Sequence, residues 1–368
     1  MTNLPSATPT PQSHRPVRGP LRHFFLRFLR RATRRAAVLC SVVGLLLGAH
    51  GLARAAEGQL RIAQQFGIVY LLLNVAQDQK LIEKHGKAAG VDIRVEFVKL
   101  SGGAVINDAL LAGTIDIDIA GAGVGPLFTL WDRTRGRQNV KGVASLGNFP
   151  YYLVSNNPAV KTIADFTDKD RIALPAVGVS VQSRILQLAS AQRWGDPAFN
   201  RLDKLQVALP HPDAAAAIIK GGTEITAHFG NPPFQEQELA ANPAAHIVLK
   251  SYDVLGGPAS ATVLYATEKF RNDSPKTYRA LLDALDEAAR FIAAQPEQAA
   301  DIYLRTHGGN TDRQLLLQVL KNPEVQFQIR PQNTLGLGQF LHRVGALKHQ
   351  PVALKDYFFD DPRIAGGN

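Results

Sequence analysis

Between Val91 and Trp131 the chain twice repeats one pattern, a strand-like run, a glycine-rich turn and a stretch with helical spacing. In the first unit Val91–Lys99 (VDIRVEFVK) alternates, Ser101-Gly102-Gly103 punctuates, and AVINDALLAG places Val105, Leu110 and Leu111 on one helical face. In the second, Ile115-Asp116-Ile117-Asp118-Ile119 alternates strictly and Gly121-Ala122-Gly123 breaks it before a helix predicted over about Val124–Trp131. Period-2 alternation marks a half-buried strand, and 3.6-residue spacing marks a helix. Strands that alternate with helices require a sheet covered by helices, so the chain reads as α/β. Leu60-Arg61-Ile62-Ala63 opens an earlier strand, and the helix after it is predicted from about Val69 to His85.

A second block begins near Tyr151-Tyr152-Leu153-Val154. Strands are predicted at Arg171–Leu174, Leu205–Ala208, Glu224–His228 and Ile247–Lys250, with a turn at Gly178-Val179-Ser180 leading into a helix that reaches about Arg193. The chain turns at Gly256-Gly257-Pro258, and Ala261–Ala266 returns it to the first block. From Asp273 onward the reading is mostly helical, with Pro275 suited to a first turn and Leu281, Leu285 and Phe291 facing a core. The expected organisation is two α/β lobes, 56–150 with 259–368 and 151–258, joined by two crossings that imply a hinge and a cleft.

The first 55 residues are unlike the rest. They carry nine arginines and no acidic residue, then the apolar run AAVLCSVVGLLLGA at 36–49, then Ala53-Arg54-Ala55. A basic start, a short apolar stretch and a small-residue site read as a cleaved secretory signal, and the run is shorter than the ~20 residues a membrane-spanning helix needs. The whole chain has 41 basic and 31 acidic side chains; nine of the 41 belong to this segment, which leaves 32 against 31. The basic excess is therefore a property of the signal, and nucleic-acid binding, which needs a basic face on the folded domain, is excluded. Cys40 and Met1 fall in the same segment, so residues 56–368 contain no sulfur. They can form no disulfide, thiolate nucleophile or cysteine metal site. One reading of that absence is avoidance of oxidation outside the cytoplasm; the other is synthesis when sulfur is scarce.

LRIAQQFG at 60–67, Ser101-Gly102-Gly103, LLAGTIDIDIAGAG at 110–123 and YYLVSNNPAVKTIADF at 151–166 occur in an order that resembles the nitrate/taurine/alkanesulfonate-type periplasmic binding proteins, with thiamine-precursor binders as close cousins. Ala112-Gly113-Thr114-Ile115-Asp116 corresponds to the phrase that closes the family's first pair of strands. The resemblance spans about 60–300. It implies a type II periplasmic binding protein fold and a receptor that passes a small organic anion to an ABC permease and its ATPase, touching the membrane only through that permease. An alkyl or aryl sulfonate such as taurine is the ligand preferred on the absence of sulfur; nitrate, an organic carboxylate or a thiamine pyrimidine precursor stays open. In Thr226-Ala227-His228-Phe229-Gly230-Asn231 the chain departs from the sulfonate binders, which resemble one another in having a tryptophan and an aspartate there.

Three turns feed helix starts, where unpaired N–H groups and the positive end of the helix dipole hold anions without a buried Lys or Arg. Ser101, Gly102 and Gly103 form one candidate cradle, Gly121, Ala122 and Gly123 a second, and Ser180 with Val181 a third from the opposite lobe. Each is also readable as an ordinary strand-to-helix turn. Gln65 and Phe66 follow the first strand, where open α/β sheets bind ligands. Asn148, with Phe149, Tyr151 and Tyr152, lies near the first crossing, either lining the cleft or packing the hinge. His228 is either an anion donor or a structural histidine. Catalytic apparatus and cofactors are not expected: Gly121-Ala122-Gly123-Val124-Gly125 is not a dinucleotide fingerprint, no G-x-S-x-G elbow occurs, and His211, His228 and His246 lack metal-ligand spacing. The fold's desulfinase relatives use a cysteine, which residues 56–368 lack. An enzyme on the same fold is the rival from another class.

Overall fold

The structure is a computed structural model that describes residues 57–112, 117–307 and 311–368. The expected signal, Cys40 and most of the strand-closing phrase, 113–116, lie outside the described residues. Ten strands are described: β1 (Gln59–Gln64), β2 (Arg94–Lys99), β3 (Ile119–Gly123), β4 (Lys141–Ser145), β5 (Tyr152–Ser155), β6 (Ile172–Leu174), β7 (Gln206–Ala208), β8 (Ala227–Phe229), β9 (His246–Lys250) and β10 (Thr262–Ala266). They form two five-stranded sheets, β2-β1-β3-β10-β4 and β7-β6-β8-β5-β9. β1 runs parallel to β2 and β3, and β10 antiparallel to β3 and β4. The second sheet repeats the plan, with β6 parallel to β7 and β8, and β5 antiparallel to β8 and β9. The chain passes between the sheets twice, from β4 to β5 and from β9 to β10.

Apolar periodicity explains the layers. Helix Leu71–Asp78 buries every residue from Leu71 to Ala76, and helix Pro275–Ala294 buries Leu281, Leu282, Leu285 and Ala288 against it. Each fully buried Leu is worth roughly 1.5–3 kcal/mol of transfer free energy. Ser274 precedes Pro275, whose missing N–H costs nothing in the first turn. Among the described residues no helix is long and apolar enough to cross a membrane.

Three details differ from the sequence reading. The helix expected over 69–85 is two helices, Leu71–Asp78 and Leu81–Ala88, because Lys80 adopts a left-handed φ of 52° that no α-helix continues through. Val105 is 46 % exposed instead of facing the core beside Leu110. Of the strand expected at 115–119, the described residues 117 and 118 are not strand and β3 runs over Ile119–Gly123, so Gly121-Ala122-Gly123 is strand and not turn; pairing of Gly121, Ala122 and Gly123 with Leu264, Val263 and Thr262 of β10 holds it extended. The helix after it then starts without a linker, at Val124.

Candidate functional site

The carboxyl ends of parallel strands from both sheets face a common cavity of about 20 Å³, room for about one water molecule. From the first sheet's side it is lined by Gln65, Tyr70, Gly103, Gly123, Pro126 and Thr262; from the second by Pro175, Ser180, Val181, Gln182, His211 and Asn231; Tyr151, at the first crossing, completes it. Four helices begin here: Gly103–Ala112, Val124–Arg133 with Gly123 as its N-cap, Val181–Trp194 with Ser180 as its N-cap, and His211–Lys220. No Lys, Arg, Asp or Glu is in the lining. The polar groups this lining offers are neutral side chains and helix N-termini.

Several of these side chains are already committed. Ser180 Oγ accepts from the Ser183 N–H at 3.3 Å, so its hydroxyl hydrogen is what it can offer the cavity. Tyr70 donates to the Gly121 carbonyl at 3.1 Å and accepts from Gln65 Nε2 at 3.3 Å. Burial pushes the Tyr70 phenol well above its ordinary value, with Tyr151 and Tyr265 adding to the shift, so it stays a neutral donor. Tyr151 and Thr262 Oγ1 bond at 2.5 Å. Asn231 Nδ2 donates to the Phe66 carbonyl at 3.2 Å, while its Oδ1 is buried without a partner.

The two sheets close on one another through backbone. The Ile68 N–H donates to the Pro232 carbonyl at 3.0 Å. Gly102 lies against the Pro175 carbonyl and Gly125 against the Val179 carbonyl, each with no room for a Cβ.

Of the sequence-predicted residues, Gln65, Gly103, Gly123, Tyr151, Ser180 and Val181 come together in this lining; the others lie elsewhere. Ser101 is exposed. Gly102 is buried under Pro175, and Gly121 and Ala122 sit within the β3–β10 ladder. Phe66 lines a separate outer groove of about 590 Å³ with Phe234, Tyr303 and His307. Asn148 is at the crossing, its Nδ2 donating to Gln326 Oε1 at 3.0 Å and Gln332 Oε1 at 2.5 Å and its Oδ1 accepting from Ser260 Oγ at 2.8 Å. Nearby, Phe149 packs edge-on against Phe327, with ring centroids 5.2 Å apart.

His228 is 0 % exposed and lies behind the cavity wall. The histidines are not simply scattered: His211 Nδ1 is 2.8 Å from His228 Nε2, and His228 Nδ1 bonds Glu238 Oε1. Burial pushes both imidazoles down and the Glu238 carboxyl well up. Among the described residues no cluster of His, Cys, Asp and Glu is arranged to hold a metal ion. Sequence reasoning passed over Gln182, His211 and Asn231. His211 had a signal of the kind used for Ser180, since Leu209-Pro210-His211-Pro212 stands between a strand and a helix.

No family model matches the chain, and no curated protein matches its sequence. Solved structures do match. The alkanesulfonate-binding protein SsuA from Xanthomonas axonopodis pv. citri, bound to MOPS, is similar with a TM-score of 0.63 and 16% identity, over 82% of this chain and 98% of that one. The periplasmic nitrate-binding protein NrtA from Synechocystis PCC 6803 gives a TM-score of 0.64 at 16% identity, over 82% and 84%. The Candida albicans CA3427 product, described as having the generic periplasmic binding protein fold, gives 0.60 at 15%, over 82% and 95%. The chain therefore has the periplasmic binding protein fold, two α/β lobes built around the two sheets.

Proposed function

We propose that this protein is an exported solute receptor of an ABC importer, and that the cavity between its sheets holds a small anion. The observation that carries this reading is four helix N-termini converging on a small, polar cavity whose described lining includes no Lys, Arg, Asp or Glu. Structural neighbours named as sulfonate-binding, as nitrate-binding and as the ligand-binding component of an import system support it. The lobes are proposed as 56–150 with 259–368 and 151–258, with the signal removed near Ala55 and the mature chain in the periplasm. Ligand enters an open cleft, contacts from both lobes favour closure, and a permease reads the closed form.

A cavity of about 20 Å³ is too small for an organosulfonate in the closed arrangement described. A sulfonate would therefore hold the lobes further apart, whereas an ion the size of nitrate needs little extra room. The sulfonate reading rests on the sulfur-free sequence of residues 56–368.

The test is a thermal-shift screen of residues 56–368 against sulfonates, nitrate, carboxylates and pyrimidines, since a ligand of the folded state raises its midpoint. A selective rise with one anion supports a receptor, and a flat response to every anion overturns the anion reading. A second reading, an enzyme on this fold, is favoured by one observation, the Glu238–His228–His211 chain behind the wall. Mass spectrometry of the dialysed ligand separates the two, because a receptor returns it unchanged.

A further inference from the structure

The wall formed by Gln182 and His211 is the end of a polar chain that runs back from the cavity into the protein. Gln182 Nε2 lies 3.2 Å from His211 Nε2, His211 Nδ1 lies 2.8 Å from His228 Nε2, and His228 Nδ1 bonds Glu238 Oε1. His228 and Glu238 are 0 % exposed and His211 3 %. Each ring is held in place: His228 is on β8, and His211 stacks on Phe234 with centroids 5.9 Å apart and planes 16° from parallel.

A neutral imidazole has one donor and one acceptor nitrogen, so polarity at one end of such a chain dictates polarity at the other. If Glu238 is the protonated acid, it donates to His228 Nδ1, His228 Nε2–H donates to His211 Nδ1, and His211 Nε2–H points outward as a donor. The Gln182 carbonyl can then accept from His211, which leaves its NH₂ for the cavity. If Glu238 is a carboxylate, every bond reverses, His211 Nε2 accepts from the Gln182 NH₂, and the Gln182 carbonyl is left for the cavity. A half-turn of the Gln182 amide exchanges its nitrogen and oxygen and fits either state. The two states differ by one proton, neutral against one negative charge.

The surroundings choose between them. Glu238 Oε2 is buried with no partner, and among the described residues no Lys or Arg is hydrogen-bonded or ion-paired to His211, His228 or Glu238. A bare oxygen costs far more on a carboxylate than on a neutral acid. Glu236, on the same helix, has its own carboxyl oxygen Oε2 buried without a partner, and the two carboxyls oppose being charged together. His211 and His228 face each other, and burial disfavours a positive charge on either.

We propose that Glu238, held as the neutral acid, acts through His228 as a positioning residue that makes the His211–Gln182 wall a hydrogen-bond donor. The cavity therefore takes a ligand that presents an acceptor oxygen at this wall and discriminates against one that presents an ammonium group there. This rests on the reading of the cavity as a ligand site.

The experiment is two-bond ¹H–¹⁵N NMR of residues 56–368 carrying ¹⁵N-histidine, recorded between pH 5 and 8 with no ligand added; His211→Asn assigns the signals. Both His211 and His228 are expected as Nε2–H tautomers with bare Nδ1 across the range. Nδ1–H tautomers, or an imidazolium signal from either ring, would overturn the proposal. Glu238→Gln can present an NH₂ donor to His228 Nδ1 in place of the acid O–H and is expected to preserve both tautomers, whereas a switch to Nδ1–H in that variant would show that this position favours an acceptor and would overturn the proposal. Because the spectrum is read without ligand, an empty ligand screen counts against the receptor and leaves the tautomers to decide this inference separately.

Discussion

Gly102 packs so tightly beneath Pro175 that a Cβ built on it would lie 2.6 Å from the Pro175 carbonyl oxygen. One residue belongs to the turn before helix Gly103–Ala112 and the other follows β6, so the contact exists only when the two sheets are closed on each other. Gly102→Val should act as a wedge. Overpacking costs about 1–3 kcal/mol against the closed form, which shifts the closed-to-open ratio by roughly 5- to 150-fold. Small-angle scattering should show a larger radius of gyration for Gly102→Val than for wild type. Equal radii would mean that the contact does not control closure.

Asn148 bonds the first crossing to Gln326, Gln332 and Ser260. Asn148→Ala deletes two donors and an acceptor and leaves buried partners unpaired, which should cost about 2–3 kcal/mol in urea unfolding. A loss below 0.5 kcal/mol, on the order of a neutral surface substitution, would show that solvent replaces these bonds.

Glu236 should make stability fall with rising pH. Burial raises its carboxyl from an ordinary value near 4.5 to about 7, against smaller opposing hydrogen bonds from Gln235 and its own backbone. Between those two values the folded state binds more protons than the unfolded chain, so stability is full below about pH 4.5 and is lost as pH rises through 7. Glu236→Gln should remove about 2–3 kcal/mol of that loss between pH 5 and 8. Parallel wild-type and variant denaturation curves at both pH values would contradict the assignment.

Ser180 separates capping from binding. Ser180→Ala deletes the acceptor for the Ser183 N–H and should cost about 1 kcal/mol. Ser180→Asp keeps a cap and puts a negative charge at the cavity, so it should hold its melting temperature while losing the midpoint rise that an anion gives wild type. An undiminished rise in Ser180→Asp would place the anion elsewhere.

Local signals located most of the fold. Strand, turn and helix units announce themselves within a dozen residues, which is why the α/β order, the Pro275 helix start and the strand at 262–266 were readable. Where tertiary partners decide, local reading fails. Gly121-Ala122-Gly123 looks like a break, yet the β3–β10 ladder, whose two strands are about 140 residues apart along the chain, keeps it extended. Gln65, Gly103, Gly123, Ser180 and Val181 share the strand-end or helix-start context that local rules can find. Apart from the helix-start context of His211, the Glu238–His228–His211 chain had no comparable signal, since its members come from two helices and a strand and meet only in the folded molecule. Asn148 was ambiguous in sequence because an amide beside aromatics serves a cleft or a joint equally well.

Each crossing delivers the chain to β5 or β10, and each of those strands is hydrogen-bonded on both flanks in the fourth place of its sheet. A strand clamped on two sides cannot peel away when the connection ahead of it flexes. If the lobes open as proposed, rotation falls on the short links 146–151 and 256–261, which lie outside the two clamped strands. In mechanical terms the proposed motion is that of a clasp with a double pin, whose opening would be retuned by substitutions in the links while the faces that meet remain the same.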